Sequence, residues 1–194
     1  MPVRVFSVKE REALRVKMLD AGIELIKAHG MTHASVEKIT QTAGLGKSTF
    51  YNFFPSKEVF VLEIMAYQRD CAKTLFNDVL GDREKMTAAE GKEFFKKLVI
   101  SSDGIYQYLT PDDERKLRAA LPDHQSAKPE ADAHTMISLL SHMEGVRADV
   151  NMKLVANFFK MMALAMFHRD QMHQDELDNT FNRVFELIFD CVFE

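Results

Sequence analysis

Apolar residues in this 194-residue chain recur at the spacing of an α-helix from Leu14 to Cys191. Leu14, Met18, Ala21, Leu25 and Ala28 step by four, three, four and three. Leu177, Phe181, Val184, Ile188 and Cys191 repeat that pattern near the other end. These steps align one face of a helix, whereas a half-buried strand needs strict alternation. Only 8 Gly and 5 Pro interrupt the chain, so long helices are expected and the fold class is read as all-α.

Local signals set the expected boundaries. Ser7 with Glu10 forms a capping-box pattern that starts a first helix, and Gly30 stops it. Gly22 lies inside that helix, at a cost of about 1 kcal/mol against Ala, which points to close approach by another helix. Ser35 caps a short helix reaching about Ala43, and a third short helix is expected from Lys47 to Phe53. Ser56 caps a fourth that reaches Leu80, and a fifth runs from Ala88 to about Ser101. Asp103 to Leu109 reads as a break. Thr110-Pro111-Asp112-Asp113 starts another helix, with a capping Thr, Pro at the first position and acids in the first turn. After a polar loop from Leu121 to Pro129, helices are expected over 131–143, 149–169 and 175–193.

The segment SVEKITQTAGLGKSTFYNFFPSK, Ser35 to Lys57, bears most directly on function. A short capped helix, a glycine turn and a second short helix form a helix-turn-helix pattern, which places its second helix in the DNA major groove. Val36, Ile39 and Ala43 anchor the first helix, Leu45 plugs the turn, and Phe50 and Phe54 form the inner face of the second. Lys47, Ser48, Thr49, Tyr51 and Asn52 then face outward. They are donors suited to phosphate oxygens and base edges. Gly46-Lys47-Ser48-Thr49 resembles the end of a nucleotide-binding loop, but Gln41 stands where that motif needs Gly and the preceding segment reads as helix.

Three stretches, MLDAGIELIKAHG, SVEKITQTAGLGKSTFYNFF and SKEVFVLEIM, together resemble the DNA-binding domain of the TetR (tetracycline-repressor-like) family. The likeness covers about residues 12–65. It implies phosphate contacts at Ser35, Lys47, Tyr51, Asn52 and Lys57, and base contacts at Lys47, Ser48 and Thr49. It also implies a homodimer on double-stranded DNA with a palindromic operator, and a body that holds a small-molecule effector. Two positions depart from the family pattern. Gly46 stands where a Ser or Thr cap is common, and Phe53 where a Tyr or His is common, so Phe53 is left out as a polar contact.

The expected organisation is a helix-turn-helix domain over residues 1–55 and a helical effector-binding and dimerisation domain over 56–194, with the fourth helix as the lever between them. The chain carries 12 Met and 15 Phe, adaptable and bulky apolar side chains suited to a cavity wall. Phe94, Phe95, Leu98, Tyr106, Met136, Leu140, Phe158 and Met162 are candidate wall residues for an apolar effector. The last two helices are apolar on more than one side, which calls for two packing partners. Val155, Phe159, Met166, Phe181, Val184 and Ile188 are the candidate dimer contacts.

Charge is compatible with this reading. Residues 1–60 carry nine Lys/Arg against six Asp/Glu, a surplus of three, and the rest carries 16 against 23, a deficit of seven, together the net −4. A modestly basic head on an acidic body can still dock on phosphates. Cys71 and Cys191 form no paired motif, the N-terminus is too polar for a signal peptide, and no apolar stretch is long enough for a membrane span. A cytoplasmic protein without membrane association is therefore expected. No metal motif appears among the seven histidines, and no nucleophile–base pair stands out, so no catalytic residue, metal or cofactor is expected. An effector-free architectural DNA protein, and a ligand-binding or enzymatic body with a vestigial head, are the competing readings.

Overall fold

The computed structural model describes residues 7–100, 104–121 and 137–193. Among these, the regular elements are helical. They are α1 (Val8–His33), α2 (Val36–Thr42), α3 (Lys47–Tyr51), α4 (Lys57–Leu80), α5 (Ala88–Ile100), α6 (Pro111–Ala120), α7 (Met152–Phe167) and α8 (Leu177–Val192). Short 3-10 turns lie at Ile105–Tyr108, Arg169–Gln171 and Gln174–Glu176. The only strand-like pairings described are two isolated bridges, Met86 with Met143 and Val146 with Phe193. The chain is all-α, as its spacing predicts.

The capping signals act where the sequence places them. The Ser7 hydroxyl accepts the Glu10 amide at 3.3 Å while the Glu10 carboxylate accepts the Ser7 amide at 2.9 Å. Thr110 and Asp113 make the same reciprocal pair at the start of α6, with Pro111 as its first residue. Ser56 Oγ accepts the Val59 amide at 3.1 Å at the start of α4. Each bond satisfies an amide that the helix leaves open.

Several boundaries differ from expectation: α1 runs past Gly30, which takes φ +74, to His33, and α8 starts at Leu177 after the 3-10 turn at Gln174–Glu176 instead of at Asp175. Helix α7 begins at Met152, not Asp149, because Asn151 Oδ1 caps the Leu154 amide and the Arg147 guanidinium is drawn to Asp149 in the preceding turn. Helix α3 ends at Tyr51, with Asn52 as its cap. Of the helix expected over 131–143, residues 137–140 are helical and turns follow. Met143 leaves the helix because the Met86 amide bonds to the His142 carbonyl and the Glu144 amide to the Met86 carbonyl, both at 2.9 Å. Residues 131–136 lie outside the described residues.

Two compact units emerge over the described residues. One lies within Met1–Gln68 and Tyr108–Pro122, the other within Arg69–Gln107 and Asp123–Glu194, so the division falls inside α4. The core of the first is built on Met18, Leu19, Ile26, Ile39, Phe50, Phe54, Phe60 and Ile64, each nearly or wholly inaccessible. In the second, Phe94, Phe95, Met162, Phe185 and Ile188 belong to one buried cluster.

Gly22 has the reason that its cost demanded. A Cβ there would lie 2.5 and 2.6 Å from Phe60 ring carbons and 2.9 Å from Ile64 Cδ1. Helix α4 therefore crosses α1 at a point where only hydrogen fits. Gly22→Val should destabilise the first unit by about 1–3 kcal/mol through overpacking, read from urea unfolding; unchanged stability would contradict this packing.

In the second unit, Arg83 holds Glu90 through two bonds of 3.0 Å, and Glu90 also accepts the Thr87 amide at 2.9 Å. The guanidinium first, then the Thr87 donors, hold this carboxyl down to about 2 from an ordinary 4.5. A depressed carboxyl stabilises the fold above its unfolded value and loses that contribution as pH falls through the folded one. Glu90→Gln should therefore melt below wild type at pH 7, with the gap closing between about pH 4.5 and 2. A gap that stays constant across that window in thermal melts would contradict the linkage.

Candidate nucleic-acid interface

Helix α3 has five residues, too few to be stable alone, since nucleation is costly and short helices are marginal in water. Tertiary packing holds it. The Phe50 ring lies 5.2 Å from Phe54 and 5.1 Å from Phe60, and Phe54 lies 4.9 Å from Phe60 in an edge-to-face contact. Offset and tilted contacts of this kind add to the area they bury. All three rings are at most 2% exposed.

The turn before α3 is equally determined. Ser35 Oγ accepts the Lys38 amide at 3.3 Å to start α2. Gly44 then takes φ +65, a left-handed conformation that favours glycine, and the Leu45 amide bonds to the Thr40 carbonyl at 2.7 Å. Gly46 caps α3 in extended backbone with no side-chain bond, so the hydroxyl missing from the sequence has no replacement.

With Phe50 turned inward, Lys47, Ser48, Tyr51 and Asn52 are exposed, and Thr49 is half-buried. Tyr51 is 51% exposed and meets Phe50 edge-on at 5.4 Å. Its ring is thus braced while its hydroxyl end is open. None of the five side chains has a hydrogen-bond or ion-pair partner among the described residues. Donors held on a rigid face without internal partners are what an external acceptor requires.

Lys57 is placed differently. Its ammonium donates to the Met31 carbonyl at 2.8 Å and the Thr32 carbonyl at 3.4 Å, closing the end of α1. Burial pushes this amine below the ordinary lysine value. Ser35 is exposed, but its hydroxyl already caps α2.

The structure adds cations that the sequence reading left out. Arg11 Nη2 donates to the Asn52 carbonyl at 3.0 Å, and its guanidinium lies 4.5 Å from the Phe53 ring centre. Lys17 brings its amine beside Gly44, 3.7 Å from where a Cβ would stand. Both come from α1, outside the helix-turn-helix segment. Only the crossing of helices far apart in sequence brings them there.

In the second unit, Phe94, Phe95, Leu140 and Met162 are at most 4% exposed in the buried cluster, and Phe158 packs against it. Phe95, Leu140, Met162 and Phe158 fill space here instead of lining an open wall, while Phe94 also edges a groove. Leu98 is 47% exposed, Tyr106 is half-buried, and Met136 lies outside the described residues. An open groove of about 890 Å³ lies elsewhere, along Leu75, Val79 and Ala89, with Phe94 in its wall and Glu90, Glu93, Lys96 and Lys97 around it. Of these, only Phe94 was among the expected wall residues.

The candidate dimer contacts also point inward. Val155, Phe181 and Ile188 are at most 5% exposed, Phe159 stacks on Phe95 at 5.4 Å, and Met166 and Val184 pack partly buried against the same cluster. Val155, Phe181 and Ile188 therefore have little surface left for a second copy, while Phe159, Met166 and Val184 keep part of theirs. The outward apolar residues of α7 and α8 are Leu154, Met161, Leu164 and Leu187, between 40% and 64% exposed.

Among the described residues, no group of three or more His, Cys, Asp or Glu is placed to hold a metal ion. No helix among them is long and apolar enough to cross a membrane.

Comparison with known proteins agrees with this geometry. Residues 18–64, which span most of α1, all of α2 and α3 and the start of α4, match the family model of bacterial regulatory proteins of the tetR family. None of the curated proteins matches the chain. Among solved structures, one described as the molecular basis for control of antibiotic production by a bacterial hormone is 18% identical. It covers 97% of this chain and 100% of its own, with a TM-score of 0.64. NalD from Pseudomonas aeruginosa, described as the secondary repressor of the MexAB-OprM multidrug efflux pump, is 15% identical over 95% of this chain and 98% of its own, with a TM-score of 0.54. The regulator FadR from Bacillus subtilis, in complex with stearoyl-CoA, is 18% identical over 90% and 97%, with a TM-score of 0.51. Identities this low speak for a shared fold, and that fold extends over nearly the whole chain. The helix-turn-helix head, residues 18–64, thus carries the DNA-binding domain of the tetR family of bacterial regulatory proteins, on a fold that the chain shares with these solved structures over nearly its whole length.

Proposed function

We propose that this protein is a ligand-responsive transcriptional repressor that binds a palindromic operator as a homodimer and is modulated by an apolar small molecule. The TetR-family fold supports the coarser statement, a DNA-binding transcriptional regulator. The observation that carries the reading is the outer face of α3, where the side chains of Lys47, Ser48, Thr49, Tyr51 and Asn52 have no hydrogen-bond or ion-pair partner among the described residues and stand over a sealed aromatic core. Lys47, Ser48 and Thr49 are assigned to base edges, and Ser35, Lys47, Tyr51 and Asn52 to phosphates. Lys57 keeps a phosphate role only through an N–H not already given to α1. In this division of labour residues 1–55 bind DNA, while residues 56–194 hold the effector and the second copy.

A two-fold dimer presents two copies of α3 to half-sites about 34 Å apart or a multiple of that distance, hence a palindrome. Leu154, Met161, Leu164 and Leu187 are the residues we assign to the partner copy, because their apolar surface is still exposed. The effector assignment rests on the groove along Leu75, Val79 and Phe94, whose apolar lining suits an acyl or aromatic molecule. An effector that favours a body conformation with mis-spaced half-sites lowers operator affinity by linkage.

Selection of random duplexes by the purified protein tests the DNA reading. It should recover a palindrome, and Lys47→Ala and Tyr51→Ala should each lose the enrichment. A wild-type protein that enriches no sequence at low or moderate salt would overturn the assignment. For the dimer, wild type should sediment at twice the chain mass, and Leu187→Glu with Met161→Glu should sediment as a folded monomer. A monomeric wild type would contradict the proposed partner face.

A further inference from the structure

We propose that Arg11 contacts a backbone phosphate of the bound duplex, and that Phe53 is the platform that positions it. The proposal rests on the DNA-binding reading above. Arg11 lies near the start of α1, yet it reaches across 41 positions of sequence to the end of α3. One N–H is given to the Asn52 carbonyl, and the guanidinium plane is held 4.5 Å from the Phe53 ring centre. Both partners are electrically neutral. Neither cancels the charge, and no carboxylate pairs with Arg11 among the described residues. Its neighbour on α1, Arg15, is by contrast committed to Glu12 and Glu63. The ammonium of Lys57 is turned onto two carbonyls.

A fixed, uncompensated cation therefore stands at the exposed end of α3, next to Tyr51 and Asn52, with most of its five N–H donors unspent. A guanidinium fork matches the two free oxygens of a phosphodiester, and a side chain already ordered by a ring loses less freedom on binding than a free one. Phe53 offers no hydrogen bond of its own. Its contribution is the face that carries the cation, an attraction that survives exposure to water.

The test is the salt dependence of binding to the selected duplex and to a scrambled one, measured by fluorescence anisotropy. Arg11→Gln should weaken both roughly tenfold. It should also make the slope of log K against log salt shallower by about one, the signature of a lost phosphate contact. Arg11→Lys should keep the slope and lose part of the affinity. Phe53→Leu should do likewise, since it removes the platform and leaves the charge. If Arg11 only ties α1 to α3, Arg11→Gln lowers the melting temperature and leaves the slope at the wild-type value, which overturns the assignment. A wild-type protein that binds neither duplex overturns the DNA-binding reading, and this inference with it.

Discussion

Three aromatic rings, Phe50, Phe54 and Phe60, hold the head together, and Gly22 makes room for the third. Phe60 comes from α4 and reaches α1 at the one point where a side chain is absent. There it meets Phe50 and Phe54, which belong to α3 and the residues just after it. Truncating a buried phenylalanine typically costs about 3–5 kcal/mol, an amount comparable with the whole stability of many small domains. A five-residue helix keeps its shape mainly through such tertiary packing. Its outward donors are as rigid as the ring cluster beneath them, and rigidity is what lets short polar side chains discriminate among base edges.

The charges of the head divide into those spent within the protein and those left for a partner. Arg15 pairs with Glu12 and Glu63, and Lys57 closes the end of α1. Lys47 stands on the outer face of α3 without a carboxylate partner among the described residues, and Arg11 stands at the end of that helix. An acidic chain can therefore present a locally basic edge. Net charge is a poor guide to such a protein, because binding depends on which cations remain uncompensated and where they are fixed.

The elements legible in the sequence were those whose signals are local. Capping pairs three residues apart, such as Ser7 with Glu10 and Thr110 with Asp113, marked helix starts directly, because the bond that stabilises the end joins residues close in sequence. The inward turn of Phe50 followed from its four-residue spacing to Phe54. What depends on distant partners was not legible. Arg11 reaches Asn52 only after α1 and α3 have crossed, and Lys57 is drawn to carbonyls 25 and 26 positions away. In the second unit, spacing identified apolar faces without telling which neighbour each would meet. Val155, Phe181 and Ile188 went to their own core, while Leu187, on the same helix as Ile188, remained outside. A helix apolar on several sides has more than one way to bury itself, and its periodicity is the same for each.

The central claim is that the face of α3, with the adjoining start of α1, is the surface that meets DNA. Amide hydrogen exchange, measured with and without the selected duplex, tests this directly because it reports local protection element by element. The account predicts that the duplex slows exchange over residues 46–57 and at the start of α1, while the amides of α8 keep their rates. Protection that appears in α7 and α8 but leaves 46–57 unchanged would contradict it.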